Sequence, residues 1–119
     1  MNIRPKTIFC DIDGTLVKHS FPTNNTDSLK TLKLLPGTIE KISEWDAKGY
    51  NIILTTGRRE SMRKATEEQL AEAGIIYDKL IMGIGGGDRI VINDNKPDGR
   101  QTAFAFNIER DKGIKDIEI

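Results

Sequence analysis

Thr7-Ile8-Phe9-Cys10-Asp11-Ile12-Asp13-Gly14-Thr15-Leu16 decides how this chain is read. An apolar run stops at two carboxylates one residue apart, with Gly and Thr directly after them. Side chains alternate along a strand, so Asp11 and Asp13 face the same way if the strand continues. Gly14 lets the backbone turn and leaves room for a ligand beside it. Carboxylates converging at the end of a buried strand repel each other unless a cation sits between them. Hard divalent ions that take oxygen ligands, Mg²⁺ above all, suit that arrangement. The competing explanation is a strand running into an ordinary Asp-Gly turn.

The rest of the chain limits the choices. Its 119 residues read as one domain, 1–119, long enough to build a core without metal or disulfide staples. Eighteen basic and eighteen acidic residues cancel to a net charge of zero, so no global field draws the chain to nucleic acid or membrane. A local basic patch is still allowed. The single cysteine, Cys10, excludes an internal disulfide and suits a reducing cytoplasm; inside an apolar strand it reads as a core residue. The sequence has no apolar run of signal-peptide or membrane-spanning length, and a soluble cytoplasmic protein is expected.

Periodicity gives alternating strands and helices. Residues 6–10 form a first strand, and 17–35 are a polar loop or short flap. A helix is predicted over 38–48, with Ile39, Ile42 and Trp45 or Ala47 inward and Gly49 as its stop. The near-continuous apolar run 50–55 reads as a strand buried on both faces. A second helix over 60–73 turns Met62, Ala65, Leu70 and Ala73 inward, and Gly74 caps it. Strands follow at 79–82, 89–92 and 102–108. This order predicts a three-layer α/β/α Rossmann-like domain with a mostly parallel, five-stranded sheet.

Such sheets bind ligands outside the carboxyl ends of their strands. Three of these ends are polar: Asp11 and Asp13, then Thr55-Thr56-Gly57-Arg58, then Asn93-Asp94-Asn95. Hydroxyls, backbone N–H groups and a cation ahead of a helix make the second a phosphate-binding arrangement, although a plain strand end with a helix cap explains it as well. Gly83-Ile84-Gly85-Gly86-Gly87 lacks a Walker lysine and a G-x-G-x-x-G context, and reads as a tight connection.

These motifs, in this order, resemble those of the haloacid dehalogenase (HAD) superfamily of phosphatases, in its compact form without a cap domain. The resemblance implies that Asp11 is the nucleophile, Asp13 the general acid/base, and Thr15 a support for the loop. It implies that Thr56, with Thr55 in reserve, contacts the transferring phosphoryl group, beside Gly57 as a substrate-binding position; Arg58 either pairs with a substrate phosphate or carboxylate in fork geometry or is a solvated first-turn residue. A Mg²⁺ cofactor would be held by Asp11, the Asp13 carbonyl and Asp94; Asp98 either assists it or belongs to a surface turn. The family also uses a cation between its second and fourth motifs, for which Lys79, Lys96 and Arg89 are candidates in that order. Lys18 and His19 would lie on the flap, where His19 is a substrate contact or a solvated side chain.

The expected activity is a Mg²⁺-dependent phosphohydrolase for a small phosphomonoester, a sugar phosphate or a nucleotide-related one, working through an aspartyl-phosphate. Zero net charge argues against a nucleic-acid partner, and none is expected at a membrane. Capless members often close their sites with a second subunit, which allows a homo-oligomer. Thr56-Gly57-Arg58 and Tyr77-Asp78-Lys79-Leu80 also resemble compact polynucleotide 3′-phosphatase domains. A non-catalytic HAD-like binding module and a receiver-like phospho-switch are the alternatives from other classes.

Overall fold

The structure is a computed structural model that describes residues 4–19 and 32–119. Strand β1, Thr7–Asp11, alternates exposed and buried positions, turning Ile8 and Cys10 inward. Helix α1 covers Thr38–Ala47 and buries Thr38, Ile42 and Trp45. Strand β2 covers Asn51–Thr55, and its central Ile52, Ile53 and Leu54 are all buried, as the unbroken apolar run predicts. A 3₁₀ turn, Glu60–Met62, leads into α2, Arg63–Ala73, which ends at Gly74 in the left-handed conformation. Strand β3, Lys79–Ile81, completes the regular elements. No helix among the described residues is long and apolar enough to cross a membrane.

The sheet is parallel, in the order β1-β2-β3, with Cys10 beside Leu54 and Leu54 beside Leu80. Crossovers between parallel strands are right-handed as a rule, and two that advance in one direction place both helices on the same face. The core agrees: Ile8, Cys10, Ile52, Leu54 and Leu80 share one cluster with Ile42 and Trp45 of α1, Leu70 of α2, and Ile75. Each fully buried aliphatic side chain here contributes about 1.5–3 kcal/mol. The opposite face is open at its margins, where Phe9 is 64% and Ile81 40% exposed. The C-terminal residues return to the core. Ile114 is buried and its N–H donates to the Pro36 carbonyl at 3.0 Å, while Lys41 pairs with Glu118 at 3.1 Å.

Two predicted strands are corrected. Residues 89–92 and 102–108 carry no strand pairing, so the described sheet has three strands, not five, and no second helical layer. Ile90, Ile92 and Phe104 are 81%, 94% and 74% exposed. The reason lies in the connection. A parallel strand must be reached by a crossover of about a dozen residues or more. Residues 82–89 are fewer than that and contain Gly83 and Gly85-Gly86-Gly87, which no helix would tolerate. Residues 84–107 instead form an exposed arm that reverses at Pro97-Asp98-Gly99, where Lys96 N–H donates to Arg100 O at 2.9 Å. With the arm the molecule measures 52 × 28 × 25 Å.

Candidate active site

The end of β1 and the loop after it are held from below. Ile12 and Leu16 are completely buried, and N–H groups of Thr15, Leu16 and Val17 all donate to the Ile12 carbonyl. The Thr38 hydroxyl donates to Leu16 O at 2.6 Å, tying the loop to the start of α1. Gly14 has φ 87°, a conformation in which a β-carbon is strained, so the turn after Asp13 needs this residue.

Anchored in this way, Asp11, Asp13, Gly14 and Thr15 line a crevice of about 190 Å³ together with Ile108 and Arg110. Thr15 Oγ1 donates to Asp11 Oδ2 at 3.3 Å. Arg58 reaches across from the end of β2 and grips Asp13 with both arms of its fork: Nε to Oδ2 at 2.9 Å and Nη2 to Oδ1 at 2.8 Å. Its remaining nitrogen, Nη1, donates to Gln69 Oε1 at 2.8 Å and Thr66 Oγ1 at 3.2 Å. The two side chains are only 15% and 21% exposed, so this is a charge-assisted, bidentate pair shielded from water.

Thr66 and Gln69 were not among the sequence candidates, which turned Ala65 inward instead. They are buried because the Arg58 guanidinium has to be satisfied there, and their spacing along α2 puts both on one face. Arg110 and Asp111 were missed as well. Asp111 adopts φ 63°, its N–H donates to Gly14 O at 2.9 Å, and its Oδ1 accepts from His19 N–H at 2.7 Å. It thereby clips the loop after β1 from the far end of the chain. The only sequence signal is a residue type that tolerates the left-handed region.

Thr56 is buried, and its Oγ1 accepts the Arg58 N–H at 3.1 Å, so it organises the turn that launches Arg58 and does not line the crevice. Gly57 is needed for close approach: a β-carbon there would stand 2.6 Å from Gly85 O. The Gly-rich stretch therefore packs along the Thr56-Gly57-Arg58 loop, with Gly83 N–H donating to Arg58 O at 2.7 Å. Lys79 opens β3 opposite Ile53, two positions short of the strand's carboxyl end. Lys96 is at the arm's reversal, and the Arg89 charge is the one felt at Asp11. Asp94 sits on the exposed arm, its carbonyl accepting from Thr102, so its own chain does not bring it to the crevice. Asp98 accepts from Arg100 N–H at 3.0 Å and belongs to the turn. Of the flap expected over 17–35, residues 20–31 lie outside those described.

Electrostatics single out Asp11. Packing at the strand end withdraws water from its carboxyl and raises its pKa above the usual carboxylate value; the Ile12 N–H and Thr15 hydrogen bonds pull the other way, Asp13 adds to the rise, and Arg89 opposes it. The Cys10 thiol is pushed up to about 12, by burial first and by Asp11 second, which makes it an inert core group. A folded-state pKa raised above the unfolded one means that the group favours folding at low pH and loses that contribution as the pH rises through the folded value. In chelator-treated protein, Asp11→Asn should therefore melt at a higher temperature than wild type at pH 7. The gap should close as the pH falls below the Asp11 pKa. Calorimetry across pH 4–8 checks the sign.

The donors at the β1 end, the Asp11 carboxylate and the Asp13 main-chain carbonyl, are of the hard oxygen type that Mg²⁺ takes. Among the described residues no three acidic, His or Cys side chains converge on one point.

A sequence profile described as the polynucleotide kinase PNKP phosphatase domain, of the HAD class, matches residues 5–91. The chain belongs to that family. Two solved structures of the Pnkp1/Rnl/Hen1 complex, one titled as an RNA repair complex, contain similar chains. They are 34% and 32% identical over 66% and 72% of this chain, with TM-scores of 0.56 and 0.58. The match spans only 25% and 30% of those longer chains. A crystal structure from Vibrio cholerae shares the fold at 23% identity and TM-score 0.52, over 74% of this chain and 79% of its own. No curated protein sequence matches. The PNKP phosphatase-domain profile ends at residue 91, within the arm, so the crevice lies inside the matched region except for Ile108 and Arg110.

Proposed function

We propose that this chain is a Mg²⁺-assisted phosphomonoesterase that works through an aspartyl-phosphate and acts on a phosphorylated polynucleotide end. The observation that carries the chemistry is Asp11 and Asp13 lining one crevice, with Asp13 gripped by Arg58. Once freed from Arg58, Asp13 takes up a proton from solvent; an Asp11 oxygen attacks phosphorus, the bond to the leaving alkoxide breaks, and Asp13 gives that oxygen its proton. Water then attacks the phosphoryl group, its proton passes to Asp13, and phosphate and the Asp11 carboxylate are regenerated. While Arg58 holds both Asp13 oxygens, neither is free for this work. A substrate phosphate offers the fork a second anion and so releases Asp13 as it binds. Asp11 and the Asp13 carbonyl would hold Mg²⁺, which supplies charge neutralisation between the carboxylates and the phosphoryl group. Arg89, whose charge reaches Asp11, takes precedence over Lys79 and Lys96 as the family's additional cation.

Membership of the family supports this substrate class and counts against the expectation that nucleic acid is excluded. Net charge is zero, yet Arg110 lines the crevice and Arg58 grips Asp13 within it, and local charge governs phosphate contacts. Small sugar phosphates remain the comparison substrates. Phosphate release from a 3′-phosphorylated oligonucleotide with Mg²⁺ tests the proposal, and no release from it or from small phosphomonoesters would overturn it. The same assay separates the carboxylates. Asp13→Asn should slow alkyl phosphates by about 10²–10⁴-fold, the usual worth of an acid/base, and hurt an aryl phosphate less because its leaving group needs no proton.

A further inference from the structure

Beyond Ile84 and Gly85, which pack on the Thr56-Gly57 turn, the arm and the outer edge of β1 each lack a strand partner among the described residues. β1 is paired only to β2 there, so its other edge presents free backbone groups, a state that folded proteins usually cover. Beside that edge Phe9 is 64% exposed. The arm carries Ile90, Val91, Ile92, Phe104 and Phe106 at 81%, 68%, 94%, 74% and 57% exposure. Surface of that kind needs an occupant.

We propose that the arm is exchanged between two copies of this chain, so that Ile90-Val91-Ile92 of one copy runs parallel along β1 of the other and delivers Asp94 beside Asp11. The sequence match is direct: β1 is an apolar run ending in Asp11, and the arm is an apolar run followed by Asn93 and Asp94. Parallel addition aligns the two carboxylate ends; antiparallel addition would send Asp94 to the opposite end of the sheet. Within one chain the parallel arrangement is closed off, because residues 82–89 are too short for the crossover it needs. A second copy has no such tether. The hinge is in place as well: just past Gly85, whose backbone packs on Gly57 and has φ 75°, β-carbons at Gly86 and Gly87 would touch nothing within 4 Å. Short connections that cannot close within a chain are the usual origin of exchanged dimers.

The area is sufficient. The five arm side chains and Phe9 leave on the order of 800 Å² exposed per chain, so reciprocal exchange buries about the 1,600 Å² of a stable interface. Each crevice then contains Asp11 and Asp13 from one copy and Asp94 from the other. The role of Asp94 rests on the phosphatase reading above, whereas the exchange itself does not.

Light scattering on the full chain should give twice the 13.3 kDa chain mass. Ile90→Lys with Ile92→Lys changes only exposed positions and should return the protein to monomers with its fold intact by circular dichroism. Complementation tests the shared site. Asp11→Asn and Asp94→Asn should each be inactive alone, and co-refolding them should restore about a quarter of wild-type turnover, because half the dimers are mixed and each rebuilds one of its two sites. A monomeric wild type at all concentrations, a dimer unaffected by the two lysines, or no restoration from an active wild type would overturn the proposal. A wild-type dimer that the lysines dissolve but that hydrolyses nothing would uphold the exchange and overturn the phosphatase reading.

Discussion

Asp11→Asn should keep the fold and stop turnover. The amide fills the space of the carboxyl and still accepts the Thr15 hydroxyl, whose oxygen now stands 3.3 Å from Asp11 Oδ2. It cannot attack phosphorus; among the described residues the other carboxylate of the crevice, Asp13, is held by Arg58, and Cys10 is buried with its thiol pushed up to about 12. The expected loss is about 10⁴-fold or more in kcat, the scale on which enzymes lose a covalent nucleophile. Steady-state phosphate release at saturating substrate measures it. Retention of more than a tenth of wild-type activity would rule out the aspartyl-phosphate route. The higher melting temperature expected for the same variant in chelator separates lost chemistry from lost fold.

Arg58→Met removes the one side chain that joins Asp13, Thr66 and Gln69, and two separate losses are expected. Stability should fall by on the order of 3 kcal/mol, because the partner carboxylate and two buried polar groups lose their donor in a shielded site. Turnover per encounter, kcat/KM, should fall by about 10²–10³-fold, as when a preorganised donor to a developing anion is removed. Arg58→Lys tells the two apart. A lysine keeps the charge but cannot span both Asp13 oxygens while also reaching Gln69, so it should recover part of the stability and little of the activity. If the Arg58→Lys variant were fully active, charge alone would suffice and the fork would have no part in catalysis. Urea titration and kcat/KM on the same preparations give both numbers.

The elements that were legible in the sequence are those fixed by short-range pattern. β1, α1, β2, α2 and β3 start and stop within a few residues of where periodicity and glycine placed them. Gly49 and Gly74 both take positive φ, at 77° and 79°, where the helices were expected to stop. Within α2 the face expected to turn inward does so, with Leu70 in the core and Met62 and Ala73 packed against it, but two polar residues of that face went unread. Hydrophobicity favoured Ala65, but Thr66 and Gln69 are buried because an arginine from another element needs them. A polar residue that is buried to satisfy a distant cation has no hydrophobic signature.

The sequence by itself determined the catalytic candidates at the end of β1 and the side of the sheet on which they open. Both depend on alternation within a strand and on a glycine next to it, and these act over a few covalent bonds. Only the tertiary structure decided which partners those carboxylates meet. Arg58 could have faced solvent, yet it closes on Asp13, while Arg110 and Asp111 arrive from the far end of the chain. Only the tertiary structure, too, decided the fate of the segments at 89–92 and 102–108. Their β-branched and aromatic residues favour extended backbone, but a strand exists only when another edge lies within hydrogen-bonding reach. Residues 82–89 are too short to carry the chain around to the free edge of β1 in parallel, and a contact set by chain length and by the position of a remote edge is written in no local stretch of sequence.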